Sequence, residues 1–242
     1  MQLLNPQICV GDLVKERPSR SRVFEDLNID YCCHGGIPLA EACEGQELDV
    51  QEVLQRLRDA DAQSDDAATW IDADAMSLTD LANHIEQTHH EYLKAELPRL
   101  DALTQKVFEV HGAKDRRLAD VRQAYESLYA ELAGHMTKEE RILFPMIRAM
   151  ESSPRMPAFH CGSIANPIRQ MEYEHDSAGN ALAILSGFTD GYQPPEWACN
   201  TYRAMLDGLK QLERDLHQHI HKENNVLFPK AIRLEAELAA PG

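Results

Sequence analysis

The sequence predicts an all-α protein, a four-helix bundle preceded by a small helical N-terminal domain. Three observations predict it. The pattern H-x-x-K-E-x-x-x-L-F-P occurs twice, starting at His135 and at His219. A further histidine precedes each copy at nearly the same distance, His90 by 45 residues and His175 by 44. Each half therefore reads as a helical hairpin, and two hairpins make a bundle with a pseudo-two-fold axis. Hydrophobic residues, 43% of the chain, suffice for a packed core, and no apolar stretch approaches the ~20 residues of a membrane span.

Residues 1–60 form the small domain. Val10, Leu13 and Val14 are spaced for a short helix, and Pro18-Ser19 starts a second through Val23, Phe24 and Leu27. The segment Asp30-Tyr31-Cys32-Cys33-His34-Gly35-Gly36 ends in turn chemistry. Pro38 fits the first turn of a third helix, and Leu48-Asp49 leads into a fourth whose face carries Val50, Val53, Leu54 and Leu57. The Ala-, Asp- and Ser-rich stretch from Asp59 to Thr69 marks the join. The linker is placed at residues 61–74 and the bundle at 75–242.

In the bundle, Ser77-Leu78-Thr79-Asp80 resembles a capping box with Asp in place of Glu. Helix one runs to about His111, with a kink or break expected at Pro98. Gly112 to Asp115 turn the chain into helix two, Arg116 to Met150. A long loop with Pro154 and Pro157 leads to Pro167, which starts helix three, ending near Gly187. Asp190 to Pro195 form the next turn, and helix four spans Glu196 to about Leu238. Pro145 and Pro229 fall at equivalent places, so a matched pair of kinks is expected.

The repeat puts chemistry on these helices. Four residues separate His135 from Glu139 and His219 from Glu223, which sets each pair on one helix face. With His90 and His175 the core would hold four histidines and two glutamates. Imidazole and carboxylate suit a pair of iron or manganese ions, and the absence of cysteine from the repeat argues against structural zinc. His217 and His221 are also four apart, but they align with Ala133 and Thr137, so the repeat selects His219 and Glu223. Spacing selects His90 over His84, while one residue of slack leaves His89 open. If Glu139 and Glu223 bridge, each ion has four protein ligands and about two open positions. Those would take an oxo or hydroxo bridge, water, or a small ligand such as dioxygen, peroxide or nitric oxide. Glu86 and Glu174 are candidate acceptors for the outer histidine nitrogens, or simple surface charges.

A formal charge of −16 disfavours nucleic acid and anionic membranes as partners and favours cations or basic protein surfaces. The N-terminus lacks a basic region followed by an apolar run, so no secretory signal is read. Six cysteines, two of them adjacent, do not form a secreted disulfide framework, and a reducing cytoplasm is expected. Cys32 and Cys33 cannot bridge each other without strain. With His34 and the amides of Gly35 and Gly36 beside them, they read either as a redox or metal-handling thiol pair of lowered pKa or as small residues packed before a turn. Cys9, Cys43, Cys161 and Cys199 are isolated and read as structural.

Four motifs carry a resemblance over nearly the whole chain: D-Y-C-C-H-G-G, H-M-x-K-E-E-x-I-L-F-P-M-I, E-H-D and H-I-x-x-E-N-N-V-L-F-P. The C-terminal region resembles hemerythrin-like domains, and the N-terminal motif resembles the small domain preceding such a bundle in the repair-of-iron-centres family, the ScdA/YtfE/DnrN type. The resemblance implies a cytoplasmic di-iron protein, carboxylate- and oxo-bridged, that restores iron–sulfur clusters damaged by nitric oxide or oxidants. It implies His90, His135, Glu139, His175, His219 and Glu223 as iron ligands, Cys32 and Cys33 as the functional thiols, and damaged iron–sulfur proteins, nitric oxide or dioxygen as partners. His89 departs from the pattern. Oxygen-carrying hemerythrins use a fifth histidine, so oxygen transport is disfavoured. A redox enzyme reducing nitric oxide or peroxide, a gas sensor and an iron store are the alternatives. The oligomeric state, monomer or homodimer, stays open.

Overall fold

A computed structural model describes residues 4–63 and 72–239. Helices joined by turns and loops make them up, with a single bridge between Cys9 and Pro38 as the only β-type pairing among the described residues. The small domain holds α1 (Val10–Glu16), a 3₁₀ turn (Pro18–Arg20), α2 (Ser21–Asp26), α3 (Leu39–Gly45) and α4 (Val50–Gln63). Pro38 is the cap of α3 and precedes its first turn. Val10, Leu13, Phe24, Tyr31, Leu39, Val53 and Leu57 form its core. Arg20 is fully buried there, with its guanidinium gripping both oxygens of Asp61 at 3.0 and 2.8 Å. Asp61 thus belongs to α4 and the small domain's packing, although the linker was expected to begin at that residue. The remainder of the expected linker as far as residue 71 lies largely outside the described residues.

The bundle consists of four rods. The first is α5 (Leu78–Ile85), a π turn (Glu86–His90) and α6 (Glu91–His111). The second is α7 (Arg117–Lys138), a π turn (Glu139–Leu143) and α8 (Phe144–Glu151). The third is α9 (Ala165–Phe188), and the fourth α10 (Asn200–Lys222), a π turn (Glu223–Leu227) and α11 (Phe228–Ala239). No helix among the described residues is long and apolar enough to cross a membrane.

The π turns explain the prolines. Pro145 and Pro229 have no N–H to give and would clash with a carbonyl four residues back. The chain widens instead: Phe144 donates its N–H to Glu139 and Phe228 to Glu223, five residues back in each case. The bulge begins on the glutamate, so Leu-Phe-Pro sets where that side chain aims. In the first rod the π turn ends on His90 without a proline. Pro98 leaves α6 unbroken. Helix four starts at Asn200 rather than Glu196, because the preceding residues are held in a turn by Ala198 N–H on Pro195 and by the Arg203 guanidinium on Ala198.

The bundle core is split. Leu93, Leu97, Tyr125, Leu132, Leu182 and Leu212 pack towards one end, and Leu81, Ile85, Phe144, Ile147, Met171 and Phe228 towards the other. The boundary between these clusters falls at His90, His175 and His219 on the first, third and fourth rods and at Glu139, one turn past His135, on the second.

Candidate metal centre

His90, His135, Glu139, His175, His219 and Glu223 meet at this boundary, and none is more than 3% exposed. Their donor atoms form two groups: His90 with His219, and His135 with His175, each completed by both Glu139 and Glu223. Glu139 Oε2 lies 3.3 Å from Nε2 of both His90 and His135. Glu223 lies 3.1 Å from Nε2 of both His175 and His219. Each carboxylate thus stands between two histidines of different groups. Each histidine pair also joins the two hairpins, since His90 and His135 come from the first and His219 and His175 from the second.

The chemistry of this set fits cations. Two buried carboxylates cost several kcal/mol each unless compensated. Yet both oxygens of Glu139, Oε2 of Glu223 and Nε2 of His90 make no hydrogen bond among the described residues. The outer nitrogens are mostly spoken for. Nδ1 of His90 faces Glu140 at 2.9 Å, Nδ1 of His135 faces Glu174 at 3.0 Å, and Nδ1 of His175 faces Asn224 at 2.8 Å. Each then donates outward and leaves Nε2 as a lone pair aimed inward, the tautomer a metal needs. Without a cation protons take its place. Burial opposes charge on His135, but Glu139 and Glu174 outweigh it and lift its pKa to about 10. Burial and Glu223 push Glu139 up, and its histidine neighbours reverse this and hold it below the usual carboxylate range.

The rival residues face elsewhere. His89 turns from the centre, its Nδ1 on Asp215 at 2.8 Å and its Nε2 taking a hydrogen bond from Lys222 at 2.8 Å. His221 sits at 3.4 Å from the carbonyl of Tyr31, against the small domain. Glu174 supports a histidine as expected, though His135 rather than its neighbour His175. Glu86 instead pairs with Arg148 at 2.9 Å.

Residues 82–231 match the hemerythrin HHE cation binding domain. The chain belongs to the hemerythrin HHE family. Residues 7–61 match the ScdA N-terminal domain, itself of unknown function. Among relatives, the iron-sulfur cluster repair protein YtfE of Pectobacterium atrosepticum is 38% identical over 93% of this chain and 97% of its own. YtfE of Shigella boydii is 37% identical over 92% and 96% of the two chains. A probable iron-sulfur cluster repair protein of Haemophilus influenzae is 34% identical over the same shares, 92% and 96%.

This hemerythrin-family chain places Cys32 and Cys33 against its bundle. The Cys33 thiol donates to the carbonyl of His175 at 3.7 Å, and Asn225 Nδ2 donates to the carbonyl of Cys32 at 3.0 Å. The thiol chemistry differs from the lowered pKa expected. The shared hydrogen bond with Cys33, burial and the Asp30 carboxylate push the Cys32 thiol well above its ordinary value. His34 pairs with Asp30 at 2.7 Å, and neither thiol bonds to the amides of Gly35 or Gly36. Gly35 serves the packing instead. A Cβ there would collide with Asn225 Oδ1, so only glycine admits that side chain. Cys199, read as structural, is an exposed thiol at the start of α10. The N–H of Tyr202 and His111, 3.2 Å away, bring its pKa down to about 7. Its signal was positional, a cysteine just before a helix.

Proposed function

We propose that this chain is a di-iron protein of iron–sulfur cluster repair, acting on clusters damaged by nitric oxide or oxidants in the cytoplasm. One iron would be held by His90 and His219, the other by His135 and His175, with Glu139 and Glu223 bridging. The observation that carries this reading is the sharing of both buried carboxylates between two histidine pairs. A donor set of imidazole and carboxylate without sulfur suits iron. The relatives named for cluster repair, similar over nine-tenths of the chain, supply the direction.

Bound iron would supply open coordination positions and one-electron redox change. The chain's own residues do the rest. Glu140, Glu174 and Asn224 fix three imidazoles so that Nε2 aims inward. Ile85, Phe144 and Phe228 close one side against water. On the other, a void of about 10 Å³ beside His135, His175 and His219 is of the size of a single water. The charge of −16 raises the local concentration of cations.

Metal analysis with Mössbauer spectroscopy is expected to find two coupled irons per chain. Incubation of the iron-loaded protein with a nitrosylated hydratase should restore more activity than free ferrous iron does. Equal recovery by free iron removes the donor role, and catalytic conversion of nitric oxide to nitrous oxide with a reductant would favour a redox enzyme instead.

A further inference from the structure

The two thiols of the small domain are set as a chelate. Cys32 Sγ and Cys33 Sγ are 3.9 Å apart and unoxidised. Two thiolates on one tetrahedral ion at ~2.3 Å sit about 3.8 Å apart, whereas a disulfide needs ~2.05 Å. Asp30 Oδ1 lies 3.3 Å from Cys32 Sγ, and one donor atom from each of the three residues falls within a 4.8 Å group. The turn is fixed in advance, because Asp30 Oδ1 accepts the N–H of both Cys32 and Cys33 at 2.9 Å. Space adjoins it: a cleft of about 750 Å³ between the small domain and the bundle is lined by these residues, Asp176, Gly179 and His217.

We propose that Asp30, Cys32 and Cys33 bind one thiophilic divalent cation, of the Fe²⁺ or Zn²⁺ class, at a site separate from the His/Glu centre. Binding releases the two thiol protons to solvent, and loss of the Cys32 S–H frees the Asp30 oxygen that it occupied. Three protein donors leave a fourth position open to the cleft, as in sites that exchange ligands rather than closed structural ones.

The site is wired to the bundle. Asn224 accepts from His175 Nδ1 at 2.8 Å and donates to the carbonyl of Cys32 at 3.4 Å. Asn225 fixes the same carbonyl, wedged between Gly11 and Gly35, where an added Cβ on either would overlap its oxygen. Coordination at Cys33 withdraws the S–H that holds the His175 carbonyl. The thiol site is thereby a transfer point for iron entering or leaving the centre. That role rests on the repair reading; the binding of an ion does not.

Cobalt(II) is a suitable probe, since only thiolate ligation gives its intense near-ultraviolet charge-transfer band and the His/Glu centre contains no sulfur. Titration of the full chain should show one Co²⁺ with that band. Cys33→Ser should weaken it at least tenfold and Cys32→Ser with Cys33→Ser should abolish it, while Cys199→Ser and Glu139→Ala keep it. No band in the parent protein, or a band surviving the double variant, overturns the site. If the double variant does not fold, unchanged affinity in Cys33→Ser does so alone. Iron release from the loaded protein to a chelator should slow at least tenfold in Cys33→Ser, and an unchanged rate removes the transfer role. A protein that binds Co²⁺ through its thiols yet restores no hydratase keeps this site and loses the repair reading. Restoration without the band does the reverse.

Discussion

His135 in the first hairpin and His219 in the second hold matched positions, yet their support differs. Nδ1 of His135 donates to Glu174, which is itself paired with Lys138. Glu174 stands one residue before His175; its counterpart, one residue before His90, is His89. Both nitrogens of His89 are engaged, Nδ1 by Asp215 and Nε2 by Lys222, so neither serves His219 as that carboxylate serves His135. His89 stacks on His219 with ring centroids 5.2 Å apart, and Nδ1 of His219 has no partner among the described residues. Lys222, the counterpart of Lys138, donates to His89 instead of to an acid. The duplication therefore preserves the donors and not all of their supports. A cation on the His90/His219 side would meet one anchored imidazole, and on the His135/His175 side two.

The largest effect should come from what the halves share. Glu139→Ala or Glu223→Ala removes a donor from both groups at once, so bound metal should fall to a small fraction of the parent value, read by metal analysis of the purified variants. Loss from one side only would mean that the carboxylate does not bridge. The next effect probes what they do not share. Outer hydrogen-bond partners of metal-bound histidines are typically worth 10–100-fold in affinity. Chelator stripping of the parent should therefore be biphasic, with the His90/His219 ion leaving first. Glu174→Gln should weaken the slow phase by roughly that factor and merge the two. His89→Glu should slow the fast phase by giving His219 its acceptor.

Spacing singled out five of the six candidate donors and narrowed the sixth to His89 or His90, because the repeat forces matched positions onto matched faces. It also separated His219 from His217 and His221. It could not choose firmly between His89 and His90, since a one-residue difference in loop length is invisible until the rods pack. The π turns were hidden too: the prolines showed that something must give, but whether a kink or a widened turn depends on packing around Phe144 and Phe228. Arg20, buried on Asp61, left no pattern at all, being a single long-range pair. Glu140 and Asn224, each directly following a repeat glutamate, did have a signal in the repeat. They differ in residue type, and that obscured their shared role.

The lysines extend the comparison to pH. Burial among His84, His89 and the bundle core brings the Lys222 pKa down to about 8 from 10.5. A depressed lysine binds fewer protons in the folded state than in the unfolded state, so stability rises with pH between about 8 and 10.5 and its penalty is complete below 8. That penalty is on the order of 3 kcal/mol before relaxation. Lys222→Met should raise the melting temperature at pH 7 and erase the gain that the parent shows on going to pH 10, relative to its own baseline. Lys138→Met, on the half-exposed counterpart, should change the melting temperature at pH 7 little.

The smallest effects should be equal in the two halves, because here the symmetry is intact. Glu151 and Glu235 each follow the glutamate of their own repeat, Glu139 and Glu223, by twelve residues. Glu151 accepts the N–H of Leu78 and of Thr79 at 2.7 Å, at the start of helix one. Glu235 accepts the N–H of Ile164 at 2.8 Å and the hydroxyl of Ser163 at 2.7 Å, at the start of helix three. In each hairpin the end of the second rod caps the start of the first, satisfying donors that a helix cannot satisfy itself. Glu151→Ala and Glu235→Ala should each cost about 1–2 kcal/mol, the range of a lost helix cap. At this chain length that corresponds to a fall of about 2–4 °C per kcal/mol in melting temperature. Metal content should stay unchanged, since neither residue touches the centre. Matched losses would show that the hairpins are equivalent as folding units and diverge only around His89; a loss confined to one variant would mean that the asymmetry runs through the whole bundle.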